Sequence, residues 1–340
     1  MTFGLVWPAL LGLLLAGYFV LAGFDYGVQM LAPRLGRDDR ERRALLNAFG
    51  PFFLGNEVWL VAAAGVLFGA FPLLEGRLLS GMYFPFTAIL VGIVVGNTAV
   101  QLRSRHRSAT ARRLWDGLIF LGGLVPAVGW GLVTGRLLAG VPLDARNVFS
   151  IGPADLLHPF VLLCGATTTA VFLAHGAAFL AWRTGGAPGA RAARAGCRAL
   201  LVAAVAAAAV LVTGFLSSAR HALVNPWPAL ATGGALVVVL LTGAALLRAG
   251  RTGRAFAATS CAAALPVVAL GAGLHPFALV TSGAPGTSGT GLRLAEAMAD
   301  AGTLRILTVF AAVMVPLMVL SQVWNWWLFR DRAGRTRTYL

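Results

Sequence analysis

The chain contains no lysine: all 27 basic side chains among its 340 residues are arginine. That absence removes the phosphate-binding lysine of a P-loop and any Schiff-base lysine chemistry. Cysteine is scarce as well. Cys164, Cys197 and Cys261 lie far apart without CxxC spacing, so neither a disulfide framework nor a zinc site is indicated, and small packing residues are the simplest reading. Acids number 12 and histidines five, and no CxxCH, HExxH or GxGxxG pattern occurs. Charged residues make up 11% of the chain, less than half of the roughly 25% usual in soluble domains. A water-soluble fold of this length is excluded.

What is present is hydrophobic. Apolar residues reach 58% and the mean hydropathy is +0.80. Apolar runs of about 20 residues or more, broken by short Arg-rich or Gly/Pro-rich segments, read as transmembrane helices. Nine spans are expected, at about 5–31, 50–74, 79–102, 115–139, 157–182, 197–217, 228–247, 255–275 and 304–328. The first run lacks a basic leader and continues through "AGFDYGVQML", too long for the core of a signal peptide.

The arginines alternate between loops. Five fall in 32–49, five in 103–114, four in 183–198, three in 248–254 and four after 329, against six in all the other loops. The first set is cytoplasmic by the positive-inside rule, which puts the N-terminus outside and the C-terminus inside. The net charge of +15 therefore answers to an anionic membrane leaflet and not to nucleic acid. Trp7 and Trp227 would mark outer interfaces; Trp182 and Trp324, Trp326 and Trp327 would mark inner ones. "GVLFG" (65–69), "GIVVG" (92–96) and "GLVTG" (131–135) offer small-residue faces for helix contact. The expected fold is an all-α polytopic membrane domain over 1–340. It divides into a first helical bundle at about 5–139, a second bundle with the last helix at about 157–328, and a basic tail at 329–340. "SGAPGTSGTG" (282–291) reads as a flexible outer loop.

Three acids remain inside or at the edge of spans: Asp25, Glu57 and Asp116. A charge at a helix centre costs about 2.5–3.5 kcal/mol on insertion scales. All three are expected near the cytoplasmic side, in one polar cluster with Asn56, Gln29, Asn97 and Arg103. Simpler readings stand beside that one: Glu57 and Asp116 as first-turn acids favoured by the helix dipole, and Asp25 paired with an arginine. His106 and His221 fall in loops, and His158 and His275 at outer span ends. His175 alone lies at membrane depth, whereas a haem needs a second ligand there. No metal site is indicated.

At these residues the sequence resembles subunit II of bd-type quinol oxidases. The first block, "GFDYGVQMLAPRLGRDDRERRALLNAFGPFFLGNEVWLVAAAGVLFGAFP", is similar to that family's GFDxGVGML, its basic loop and its WDGNxVWL box. "RRLWDGLIFLGGLVP", "DLLHPFVLLCG" and "VPLMVLSQVWNWWLFRDR" extend the likeness over nearly the whole chain. The resemblance implies a nine-helix, N-out subunit without haem of its own in a bacterial cytoplasmic membrane. It would pack against a subunit I that carries haem b and haem d, oxidises quinol and reduces oxygen. It leaves room for a small accessory subunit and for a bound membrane lipid or quinone. Gly23, Phe24, Gly27, Gly55, Trp59 and Trp115 match its structural positions. Asp25 and Asp116 match acids linked to haem assembly, while Asn56, Glu57 and Arg103 are candidates for proton handling or partner organisation.

Three positions depart from the family. Leu54 stands where the box carries an aspartate associated with proton uptake, and leucine cannot carry a proton. Gly96 falls where an arginine is expected, and Gln29 replaces a glycine. A non-catalytic paralogue that scaffolds a subunit-I-like partner is therefore a second reading. A secondary transporter is a third, since Pro126 and Pro266 lie mid-span, although no paired charges accompany them.

Overall fold

The computed structural model describes residues 3–105, 108–142, 149, 151–216, 223–282 and 291–330. Among them, nine helices are long and apolar enough to cross a membrane. These are α1 (Phe3–Leu35), α3 (Phe53–Ala70), α5 (Tyr83–Arg103), α6 (Ala109–Leu138), α8 (Pro159–Arg183), α9 (Gly186–Leu216), α10 (Pro226–Arg248), α11 (Thr252–Leu274) and α13 (Ala301–Leu328). Shorter helices join them: α2 (Asp39–Phe49), α4 (Pro72–Gly81), α7 (Pro153–Leu156) and α12 (Leu294–Ala297).

Several connections differ from the sequence reading. Residues 32–49 were expected as a loop on the strength of their charge, but Asp39–Phe49 is an amphipathic helix. Asp38 caps it by accepting from the Glu41 amide at 2.8 Å, and Leu45, Leu46, Ala48 and Phe49 bury its apolar face. An acid three residues ahead of a glutamate is the signature of such a start. The third arginine segment, 183–198, is largely helical too. α9 begins at Gly186, directly after Thr184 and Gly185, so Arg191, Arg194 and Arg198 are helix residues. On the outer side, β1 (Phe277–Val280) pairs antiparallel with β2 (Gly291–Arg293), a small hairpin in what was read as all-α. Most of the 282–291 loop and of the basic tail lies outside the described residues.

The first helix organises the rest. α1 packs against α3 and α6, and equally against α8 and α11, so the two helical groups share one core. Small residues set the closest crossings. A Cβ on Gly96 would lie 2.8 Å from the Cα of Gly122, and one on Gly131 would lie 2.6 Å from the Cα of Gly165. Both are backbone-to-backbone approaches that only glycine permits. Gly65 faces open space, and Gly69 meets only the Leu307 side chain, so the 65–69 motif is a weak contact.

Aromatic rings close the cytoplasmic end. Phe24 stacks on Phe179 at 4.4 Å, and Trp326 stacks on Phe52 at 4.6 Å. Trp324 and Trp327 remain exposed, so the tryptophan triplet splits between core and interface. Trp7 is buried, which removes it from the expected outer belt.

Candidate cytoplasmic polar site

The GFDYG segment of α1 uses two faces. Gly23 and Gly27 turn toward α8: a Cβ on Gly23 would lie 2.8 Å from the Phe172 ring, and one on Gly27 would lie 2.8 Å from the Cα of Gly176. Phe24 faces Phe179 beside them. Asp25 is offset along the helix and meets α3 instead. Asn56 donates through Nδ2 to Asp25 Oδ2 at 2.8 Å and to the Leu21 carbonyl at 3.2 Å. Gln322 of α13 donates to Asn56 Oδ1 at 2.9 Å. Asp25 and Asn56 are fully buried, and Asp25 Oδ1 has no hydrogen-bond partner among the described residues. The expected alternative, an arginine partner for Asp25, does not occur among them.

Glu57 takes a separate set of contacts. Asn97 donates to Glu57 Oε1 at 3.4 Å, and Gln29 donates to Asn97 Oδ1 at 3.4 Å. Both bonds are long and weak. Together they link α1, α5 and α3 through a line of amides ending on a carboxylate. Gln29 Oε1 presses against the Gly96–Gly122 crossing, so two departures from the family pattern meet in space. An arginine at 96 has no room while Gln29 and Gly122 stand there.

Asp116 and Arg103 form a third group, apart from the other two. Arg103 donates to Asp116 at 2.5 and 3.3 Å, and Arg42 donates to the same carboxylate at 2.9 Å. Arg103 also reaches Asp39 at 3.0 Å, which Arg43 and Arg112 approach at 2.8 and 3.5 Å. Burial pushes the Asp39 carboxyl up, but Arg103, Arg43 and Arg112 outweigh it and hold the group below its usual range. Glu41 is lowered by the Arg191 guanidinium at 2.5 Å and the Arg37 amide at 2.8 Å. The single cluster expected from sequence is thus divided. Folding of α2 carries Asp39 and Arg42 to the ends of α5 and α6 and claims Asp116 and Arg103 for a structural clamp.

The first-turn reading also fails. Glu57 is the fifth residue of α3 and Asp116 the eighth of α6, beyond the reach of the end dipole. Leu54 is 60% exposed on the outward face of α3. Gly55 faces Gln322 and Asn325 of α13, and Trp59 lies over Gly17 of α1. Trp115 is half-buried against the cytoplasmic core.

The histidines test whether this chain fits a haem. His175 is buried with both nitrogens engaged, Nδ1 with Thr259 Oγ1 at 2.8 Å and Nε2 with the Val20 carbonyl at 2.9 Å. Its ring stacks on Phe256 at 4.9 Å. His158 accepts from the Phe160 amide at the start of α8, and His275 caps the end of α11. No group of three or more His, Cys, Asp or Glu comes together among the described residues. The buried histidine ties three helices with both ring nitrogens engaged; His106 and His221 lie outside the described residues.

Sequence reasoning missed Gln322 and Asn325. They are polar, three apart on one face of an apolar span, and they anchor the last helix to Asn56 and to the Pro51 carbonyl at 3.1 Å. It also missed Tyr18 and Tyr26, whose hydroxyls bond to each other in the core.

Comparison with known proteins agrees with this architecture. The profile of the family described as cytochrome bd terminal oxidase subunit II matches residues 3–329. Cytochrome bd ubiquinol oxidase subunit 2 of Bacillus subtilis is 31% identical, covering 97% of this chain and 96% of its own. Cytochrome bd-I ubiquinol oxidase subunit 2 of Escherichia coli K12 is 32% identical over 97% and 95%. A chain of the bd oxidase structure from Geobacillus thermodenitrificans superposes with a TM-score of 0.73, covering 97% of this chain and 99% of its own at 17% identity. That last likeness speaks to fold alone.

Proposed function

The chain belongs to the cytochrome bd terminal oxidase subunit II family, and from that premise we propose that it serves a quinol-oxidising, oxygen-reducing complex as the subunit without haem. The haems b and d sit in its partner, subunit I, and quinol is the substrate of the assembly. This chain contributes shape and cytoplasmic proton supply.

The observation that carries the second role is the buried carboxyl of Asp25, held on one oxygen by Asn56 and, among the described residues, unserved on the other. A carboxyl with no cation partner at membrane depth is a place to hold a proton. Glu57, on the next turn of α3 from Leu54, is half-buried and reached through Asn97. A proton entering at the Arg-rich end can rest on Glu57 or Asp25 and pass to the partner. Arg103 and Asp116 do not carry it; they fasten α2 across the ends of α5 and α6.

The outward, exposed position of Leu54 favours a second reading, in which the chain only scaffolds its partner. The experiment is tagged co-purification with subunit I, a reduced-minus-oxidised haem spectrum, and quinol-driven oxygen uptake for wild type, D25N, E57Q and L54D. Proton supply predicts that D25N or E57Q keeps the haem bands but loses at least tenfold in turnover. Unchanged turnover in both would leave the scaffold reading in possession.

A further inference from the structure

No acidic residue occurs between Asp155 and Glu296, while this stretch carries nine arginines. Two of those at the cytoplasmic end are already engaged. Arg183 donates to the Phe329 and Arg330 carbonyls, and Arg191 pairs with Glu41. Arg194, Arg198, Arg248, Arg251 and Arg254 remain exposed, with no ion pair among the described residues. The other half of the same rim is built differently, since Asp38, Asp39, Glu41 and Asp116 stand among its arginines.

These five are held in place by backbone that is itself fixed. α10 ends in a Schellman turn: the Gly250 amide donates to Leu247 and the Arg251 amide to Leu246. Gly250 takes φ +72°, the left-handed position the motif requires. Arg248, Arg251 and Arg254 are thereby set around one turn. Arg194 and Arg198 come beside them, because Cys197 Sγ lies 3.9 Å from the Ala244 carbonyl and a Cβ on Gly196 would touch Leu247 at 2.9 Å.

Below the arginines the wall is apolar, with Leu201, Val202 and Val205 of α9 and Val238 and Leu241 of α10 exposed. Unpaired guanidinium groups on a fixed backbone, above an exposed aliphatic wall, match a phosphate headgroup above acyl chains, which an acidic protein partner would not need. We infer that Arg194, Arg198, Arg248, Arg251 and Arg254 form a headgroup site for an anionic phospholipid at the cytoplasmic edge of α9–α11. The bidentate fork of each guanidinium suits phosphate oxygens.

The test uses the complex purified with its partner, delipidated and titrated with phosphatidylglycerol or phosphatidylcholine. Retained lipid is counted by native mass spectrometry. Wild type is expected to hold phosphatidylglycerol in preference to phosphatidylcholine. R194Q/R198Q should weaken that preference by at least about tenfold and R248Q/R251Q/R254Q by more, since the attraction of each surface arginine to anionic lipid adds to that of the others. R105Q/R113Q, which removes charge from the other half of the rim, should not. A wild type without preference overturns the inference whatever the variants do. So does an equal loss in R105Q/R113Q, which would mark a general charge effect, or stoichiometric recovery of an acidic protein with wild type that is lost when R194Q/R198Q and R248Q/R251Q/R254Q are combined.

Discussion

The carboxylate of Asp25 on α1 takes its hydrogen bond from Asn56 on α3, 2.8 Å away, and Asn56 in turn is held by Gln322 from the last helix. Replacing Asn56 by leucine removes the donor and strands two buried groups. Each unsatisfied group costs about 1–3 kcal/mol, so N56L should lower the melting temperature of the purified complex and its oxygen uptake together. Q322L frees Asn56 but leaves Asp25 its donor. It should cost stability while sparing most of the turnover, and equal turnover losses in the two variants would break this assignment.

Gly96 sits where α5 and α6 touch backbone to backbone. An added methyl would meet Gln29 Oε1 at 2.5 Å and the Gly122 Cα at 2.8 Å, and overpacking of this kind costs about 1–3 kcal/mol. G96A should therefore reduce the amount of assembled complex recovered from membranes. Q29G removes one obstacle but not Gly122, so the double variant should recover only in part. Wild-type yield for G96A would refute the backbone-to-backbone crossing.

The α2 clamp predicts an acid limb. Asp39 and Glu41 are held below their usual values in the folded protein. Their stabilisation is present above the unfolded value of about 4 and is lost as pH falls through the lower folded value. Melting temperature should fall in that window. D39N/E41Q should melt below wild type at pH 7, with the gap closing toward pH 3. A gap that stays constant with pH would refute the linkage.

His175 bridges α1, α8 and α11 through two hydrogen bonds. H175L should destabilise the bundle by about 1–3 kcal/mol and leave the haem bands of the co-purified complex in place. Loss of a single haem band at unchanged yield would make this residue a ligand.

Much of the membrane fold was legible because apolar run length is itself the physical determinant of a span. The 92–96 and 131–135 glycine motifs also read true, since close crossings need small residues. Residues 39–49 were misread for a physical reason: their charge density hid an amphipathic period whose apolar face exists only once α1 is there to receive it. The site was legible in its members but not in its grouping. Nothing local in the sequence tells Asp116 that Arg42 will arrive from 74 residues away, or Asn56 that Gln322 will. A lone glutamine in an apolar helix was the available signal for the second, and it asks for a partner without naming one.

The position of α1 has a consequence for how the chain is made. α1 leaves the ribosome well ahead of its neighbours α8 and α11 and is enclosed only after they are made. Until translation reaches Gln322, Asn56 lacks one of its hydrogen-bonding partners. A nascent chain halted before α13 therefore keeps one amide short of a partner inside the bilayer.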